Sequence, residues 1–199
     1  MRAHRPILAL LAGLLLLPLA AIAQILPANL RPARDATQAP VIDNTAWQTQ
    51  LDGRTLRIEC AADRVRVKPG EDDRVHVAGI YRRFEPSAGT IELATEESDE
   101  QVVVRVAPPG EGDPESTERE GSHLDLFVRV PHGTRLEIVQ RAGSLSIVEL
   151  EAEIDATVRW GELRLRDVVG PVEADVAFGT LDVAGIEGTL EARVASGEL

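Results

Sequence analysis

Glycine recurs at an interval of 18 residues, at Gly143, Gly161, Gly179 and Gly197, and a leucine stands two positions after each: Leu145, Leu163, Leu181 and Leu199. The rows between these marks are equally regular. Ile147, Leu165 and Val183 form one, and Ile154, Val172 and Leu190 another. Ala156, Ala174 and Ala192 follow, then Val158, Val176 and Val194, while Leu136 and Ile138 join the same rows one unit earlier. A short segment cannot bury such a row alone, and self-similarity at a fixed short period is the mark of stacked units. The stretch "FGTLDVAGIEG" is therefore read as one unit of a repeat and not as a ligand-cradling glycine loop. Stacking in parallel would place neighbours about 4.8 Å apart, and each buried leucine or valine would contribute about 2 kcal/mol.

Eighteen residues also equal three hexapeptides, but Ile147, Glu153 and Arg159 share no character, which excludes a hexapeptide helix. The expectation is an all-β chain built as a single-stranded parallel β-helix or β-solenoid, right-handed because parallel crossovers take that hand. Trp160 and Phe178 each precede a repeat glycine and should stack as a small aromatic ladder. Edge packing explains that pair as well as a sugar-binding platform does.

Upstream, the apolar residues alternate without a long period. Leu56 with Ile58, Val65 with Val67, Val75 with Val77, Ile91 with Leu93, and Val102 with Val104 and Val106 each place β-formers on one face of a strand. Leu126, Val128 and Val130 continue the pattern as far as Pro131, which cannot donate to a ladder. No segment holds a helical period.

The first residues, "MRAHRPILALLAGLLLLPLAAIAQ", set Arg2 and Arg5 before an apolar run and close on Ala21-Ile22-Ala23. This is the form of a secretory signal peptide, and the apolar run is too short for a spanning helix, which needs roughly 20 residues. Residues 1–23 are thus expected to be a signal peptide, 24–45 a flexible proline-bearing tether, and 46–199 the β domain, interrupted by an acidic loop at about 107–123. The whole chain carries a formal charge of −12, and loss of Arg2 and Arg5 makes the exported part more negative. Nucleic acid and anionic lipid are poor partners for such a surface. Cys60 is the only cysteine, so no internal disulfide forms. Its alternation with Leu56 and Ile58 points to a buried, inert thiol.

Nucleophilic catalysis needs serine or cysteine beside histidine, and His76, His123 and His132 stand in no such arrangement and no zinc spacing. Glu137, Asp155, Glu173 and Glu191 lie 18 apart and should form one outward row, repelling one another by roughly 0.8 kcal/mol per neighbour in water. A calcium ion would relieve that repulsion; splaying into solvent, the favoured reading, relieves it too. The adjacent row, Thr157, Asp175 and Arg193, mixes charges without convergence. No catalytic, cofactor-binding or metal-binding residue is assigned, and no cofactor.

With "LFVRVPHGTRLEIV", the recurring G-x-L-x-[ILV] units and the closing "SGEL", the chain resembles a family of exported bacterial proteins described as putative adhesins. "LRIECAADRVRVKPGEDDRVHVAG" is similar to that family's opening turns, so the resemblance covers about Leu56 to Leu199. The export signal together with a repeat lacking catalytic groups leads to the expectation of a non-enzymatic binding or scaffold module of the periplasm or cell surface, with an unidentified envelope component, glycan or protein, as partner. The alternative is a carbohydrate-active β-helix enzyme acting on envelope or extracellular polysaccharide. An uncapped last unit would further expose strand edges and favour end-to-end self-association.

Overall fold

A computed structural model describes residues 40–83, 90–107 and 122–199, all within one compact unit, Pro40–Leu199. The expected signal peptide, the tether up to residue 39 and the acidic loop between 108 and 121 lie outside the described residues. The domain begins earlier than expected, because Val41 already opens a strand within the stretch read as tether.

Eleven strands make up one mixed sheet: β1 (Val41–Gln50), β2 (Thr55–Cys60), β3 (Arg64–Pro69), β4 (Arg74–Arg83), β5 (Glu92–Glu97), β6 (Gln101–Ala107), β7 (His123–Val130), β8 (Thr134–Val148), β9 (Ala152–Val169), β10 (Val172–Glu187) and β11 (Leu190–Glu198). The all-β expectation holds among the described residues, and the paired valines fall on the strands assigned to them. The single-stranded parallel β-helix does not hold. β1 runs antiparallel to β4, β4 to β7 and β5 to β6, so no common coil passes through the domain. The cause is physical: V-x-V alternation fixes which face of a strand is buried but not the direction of its neighbour. The tight turn between β5 and β6, closed by the Ser98 N–H donating to the Gln101 carbonyl at 2.9 Å, forces a hairpin and hence antiparallel pairing.

From β8 onward the pairing is parallel and follows the repeat residue by residue. Leu145 lies beside Leu163 and Leu163 beside Leu181, while Gly143, Gly161, Gly179 and Gly197 form one continuous row. Within β8, Leu136, Ile138 and Gln140 are buried at even positions, whereas Leu145 and Ile147 are buried at odd ones. The inward face therefore changes phase between Gln140 and Leu145, at Gly143, and β9 repeats the change at Gly161. A residue in the left-handed φ region bends the strand there so that both halves of it serve a single core. At Gly161 the backbone φ is +134°, and a Cβ would meet the Gly143 carbonyl oxygen at 1.8 Å. Only glycine fits that row.

On their inner side the two halves of β8 join different strands. Leu136 to Gln140 pair with β2, and Ser144 to Ile147 pair with β3. The ladder is thereby grafted onto the non-repeating strands, and one aliphatic core runs from Leu56, Ile58 and Val65 through Leu136 and Leu145 to Leu163 and Val176.

Candidate functional site

The outer face of the run β5, β6, β2, β8, β9, β10 and β11 carries two unlike charge patterns. Over the first four strands, acids and bases alternate in a connected chain. Glu96 pairs with Arg105 at 2.6 Å, Arg105 with Glu59 at 2.9 Å, Glu59 with Arg57 at 2.8 Å, and Arg57 with Glu137 at 2.5 Å. The Arg57 guanidinium, and after it Arg105, holds the Glu59 carboxyl below its ordinary value despite partial burial; Glu96 and then Glu59 raise Arg105 in return. Exposed pairs of this kind contribute little singly, but this chain stitches four strands in register.

Over the ladder the face is acidic. Glu137, Asp155, Glu173 and Glu191 are register partners in one row, as the spacing required. They line a shallow groove of about 520 Å³, bordered by Arg135 and Glu153, which pair with each other at 3.0 Å. Arginines neutralise both ends of the row, Arg57 at Glu137 and Arg193 at Glu191. Asp155 and Glu173 have no ion-pair partner among the described residues. Among those residues no group of three or more histidine, cysteine, aspartate or glutamate side chains is placed to hold a metal ion.

At the glycine corner stand Trp160 and Phe178. Their rings are stacked, with centroids 5.9 Å apart and planes 13° from parallel, and they remain 44% and 50% exposed. The Arg159 guanidinium lies 4.3 Å from the Trp160 ring centroid, close enough for a cation–π contact. Beyond the corner, Asp182 is held by Arg166 and Arg164, Arg166 first, and its carboxyl is lowered accordingly.

The three histidines do not converge. His76 contacts Asp72 at 3.0 Å in an exposed pair, His132 lies 3.8 Å from Glu151, and His123 opens β7 on the surface. Cys60 is buried, and burial pushes its thiol up to about 12, which leaves it protonated and inert. Sequence reasoning placed the acidic row and the aromatic pair but missed the arginine clamps, because Arg57 and Arg105 reach their partners through pairings of β2 that no period announces.

No family model and no curated protein matches this chain. Among solved structures it is similar to a putative cell adhesion protein from Clostridium sporogenes, at 11% identity over 79% of this chain and 98% of that one, with a TM-score of 0.47. A putative adhesin from Bacteroides fragilis follows at 8% identity, 78% and 96% coverage and a TM-score of 0.31. A putative lipid binding protein from Parabacteroides distasonis matches at 7% identity, 79% and 94% coverage and a TM-score of 0.23. Adhesin descriptions recur among these neighbours. At these identities and scores, no activity passes from them to this chain.

Proposed function

We propose that this chain is an exported binding or scaffold module of the cell envelope that works through the outer surface of its ladder and performs no catalysis. The N-terminal segment, read as an export signal, supports the address. The observation that carries the reading is the exposed stack of Phe178 and Trp160 with Arg159 laid over it. Rings that served only the core would be buried, and a rigid column of two aromatic faces and a guanidinium suits the CH-rich faces and hydroxyls of a glycan or the side chains of an envelope protein. The lack of convergence among His76, His123, His132 and Cys60 supports a module without turnover.

The test is retention of isolated envelope glycan and protein fractions on the immobilised full chain. Retention without release of glycan products is the expected result, with the double variant Trp160→Ala/Phe178→Ala losing it by about tenfold or more. Release of soluble oligosaccharide would favour the polysaccharide-degrading alternative. Unchanged retention by the double variant would remove the aromatic stack from the account.

A further inference from the structure

Of the arginines on the outer face of the ladder, Arg135, Arg164, Arg166 and Arg193 each hold a carboxylate. Arg159 makes no ion pair among the described residues. Its guanidinium lies instead over the Trp160 ring, 4.3 Å from the centroid, and spacing shows on which face. Phe178 and Trp160 are register partners with ring centroids 5.9 Å apart. A planar group between two rings would need about 7 Å, two contacts of about 3.5 Å each. Arg159 therefore covers the opposite face of Trp160, on the side where the row continues with Ala142, a residue too short to reach the ring.

With both faces of Trp160 occupied, its 44% exposure presents the ring edge to solvent. That edge is the positive part of the aromatic quadrupole, and it carries the indole N–H, which makes no hydrogen bond among the described residues. The guanidinium, flat on the ring, turns its N–H fork sideways, where no carboxylate meets it. Guanidinium and indole donate hydrogen bonds and accept none. The corner is thus a positive, donor-only spot on a chain whose formal charge is −12. A cationic partner finds no acceptor there, whereas an oxyanion finds a bidentate fork beside a polarised ring edge.

Resting on the reading of this stack as a binding surface, we infer that it takes an acidic saccharide, with Arg159 gripping the carboxylate or phosphate and the half-exposed Phe178 lying against the sugar ring. A uronic acid or a sugar phosphate unites a CH-rich face and an oxyanion in one small unit, which matches an aromatic ring set beside a guanidinium. An aspartate or glutamate side chain brings the oxyanion without that face. The acidic row does not oppose such a ligand. Asp155 stands five residues before Trp160, about 17 Å along a strand and beyond the screening length of about 8 Å. Glu162, across Gly161, is neutralised by Arg164 at 2.6 Å, and Asp175 sits at the register of Thr157, two positions back from Arg159. The corner accepts an oxyanion at one point and not a polyanion along the ladder.

The indole N–H resonances of the isotope-labelled full chain test this. Trp47 and Trp160 are its two tryptophans, and Trp160→Phe tells their signals apart. Galacturonate, glucuronate and galactose 6-phosphate should shift the Trp160 signal and leave that of Trp47 in place; whichever binds tightest names the oxyanion. Galactose and the methyl ester of galacturonate should bind about tenfold more weakly or less, the worth of a charge-assisted hydrogen bond. Arg159→Gln should weaken the acidic sugars by the same factor without changing the response to galactose, and Arg159→Lys, which keeps the charge and loses the fork, should recover only part of it. A Trp160 signal that no acidic sugar moves would overturn the inference. So would equal affinity for galactose and galacturonate, or for inorganic phosphate, acetate or the peptide Gly-Asp-Gly and the acidic sugars. Equal affinity for galactose would still leave the stack a binding surface; only envelope retention indifferent to Trp160→Ala/Phe178→Ala removes that.

Discussion

The ladder of β8 to β11 and the strands β1 to β7 share one core and one composition of aliphatic residues, yet they hold their register by different means. In the ladder each residue is aligned with its equivalent 18 positions on, and glycine backbones pack on one another at the corner too closely to admit a side chain. In the earlier strands no residue repeats. For β5, β6 and β2, register is supported instead by the tight turn at Ser98 to Gln101 and by the arginine–glutamate chain that ties these strands to β8. A repeat thus makes register a property of the sequence, whereas alternation alone leaves it to turns and side-chain pairs.

The largest effect separating the two regions should come from a single methyl group. Gly161→Ala places a Cβ at 1.8 Å from the Gly143 carbonyl oxygen, whereas Gly53, at φ +80° in the turn before β2, has nothing within 4 Å. Chemical denaturation should show a loss above about 4 kcal/mol for the first, the scale of a change that the backbone must move to accept, and about 1 kcal/mol for the second, the conformational term alone. Equal losses would mean that the corner row is not close-packed.

A smaller effect should appear in acid. Glu59, in the earlier strands, and Asp182, in the ladder, are both lowered from their ordinary values of 4.5 and 3.8 by neighbouring arginines. The folded chain therefore binds these protons less readily than the unfolded one. The stabilisation is complete above the ordinary values and is lost as the pH falls through the lowered ones. A urea midpoint that declines below about pH 4, and declines less in Arg57→Gln, is expected. A midpoint independent of pH down to 3 would show that the pairs contribute nothing.

The same contrast explains what the sequence disclosed. The rows of Leu145, Leu163 and Leu181 and of Glu137, Asp155, Glu173 and Glu191 could be written down residue by residue, because one period determines both register and facing. So could the stacking of Trp160 on Phe178. The antiparallel partners of β1, β4 and β5 could not, since Val75 and Val77 mark a buried face equally well for either strand direction. Extending the coil back through those strands was the error that gave the wrong fold class. Of the candidate site, the residues were visible and the clamps were not. Arg57 differs from any exposed arginine only through the pairing of β2 with β8 that brings Glu137 to it. The positive φ of Glu149 and Asp167 recurs 18 residues on at Gly185, so the only mark of this second corner in the sequence is a glycine in one of its three units.

The in-register ladder is tested most directly by nitroxide labels at Asp155→Cys and Glu173→Cys, which are register partners on the outer face of β9 and β10. Cys60, buried and protonated, stays unlabelled. Backbones about 4.8 Å apart predict strong spin–spin broadening in the continuous-wave spectrum of the doubly labelled chain. A spectrum equal to the sum of the two single labels would contradict the ladder.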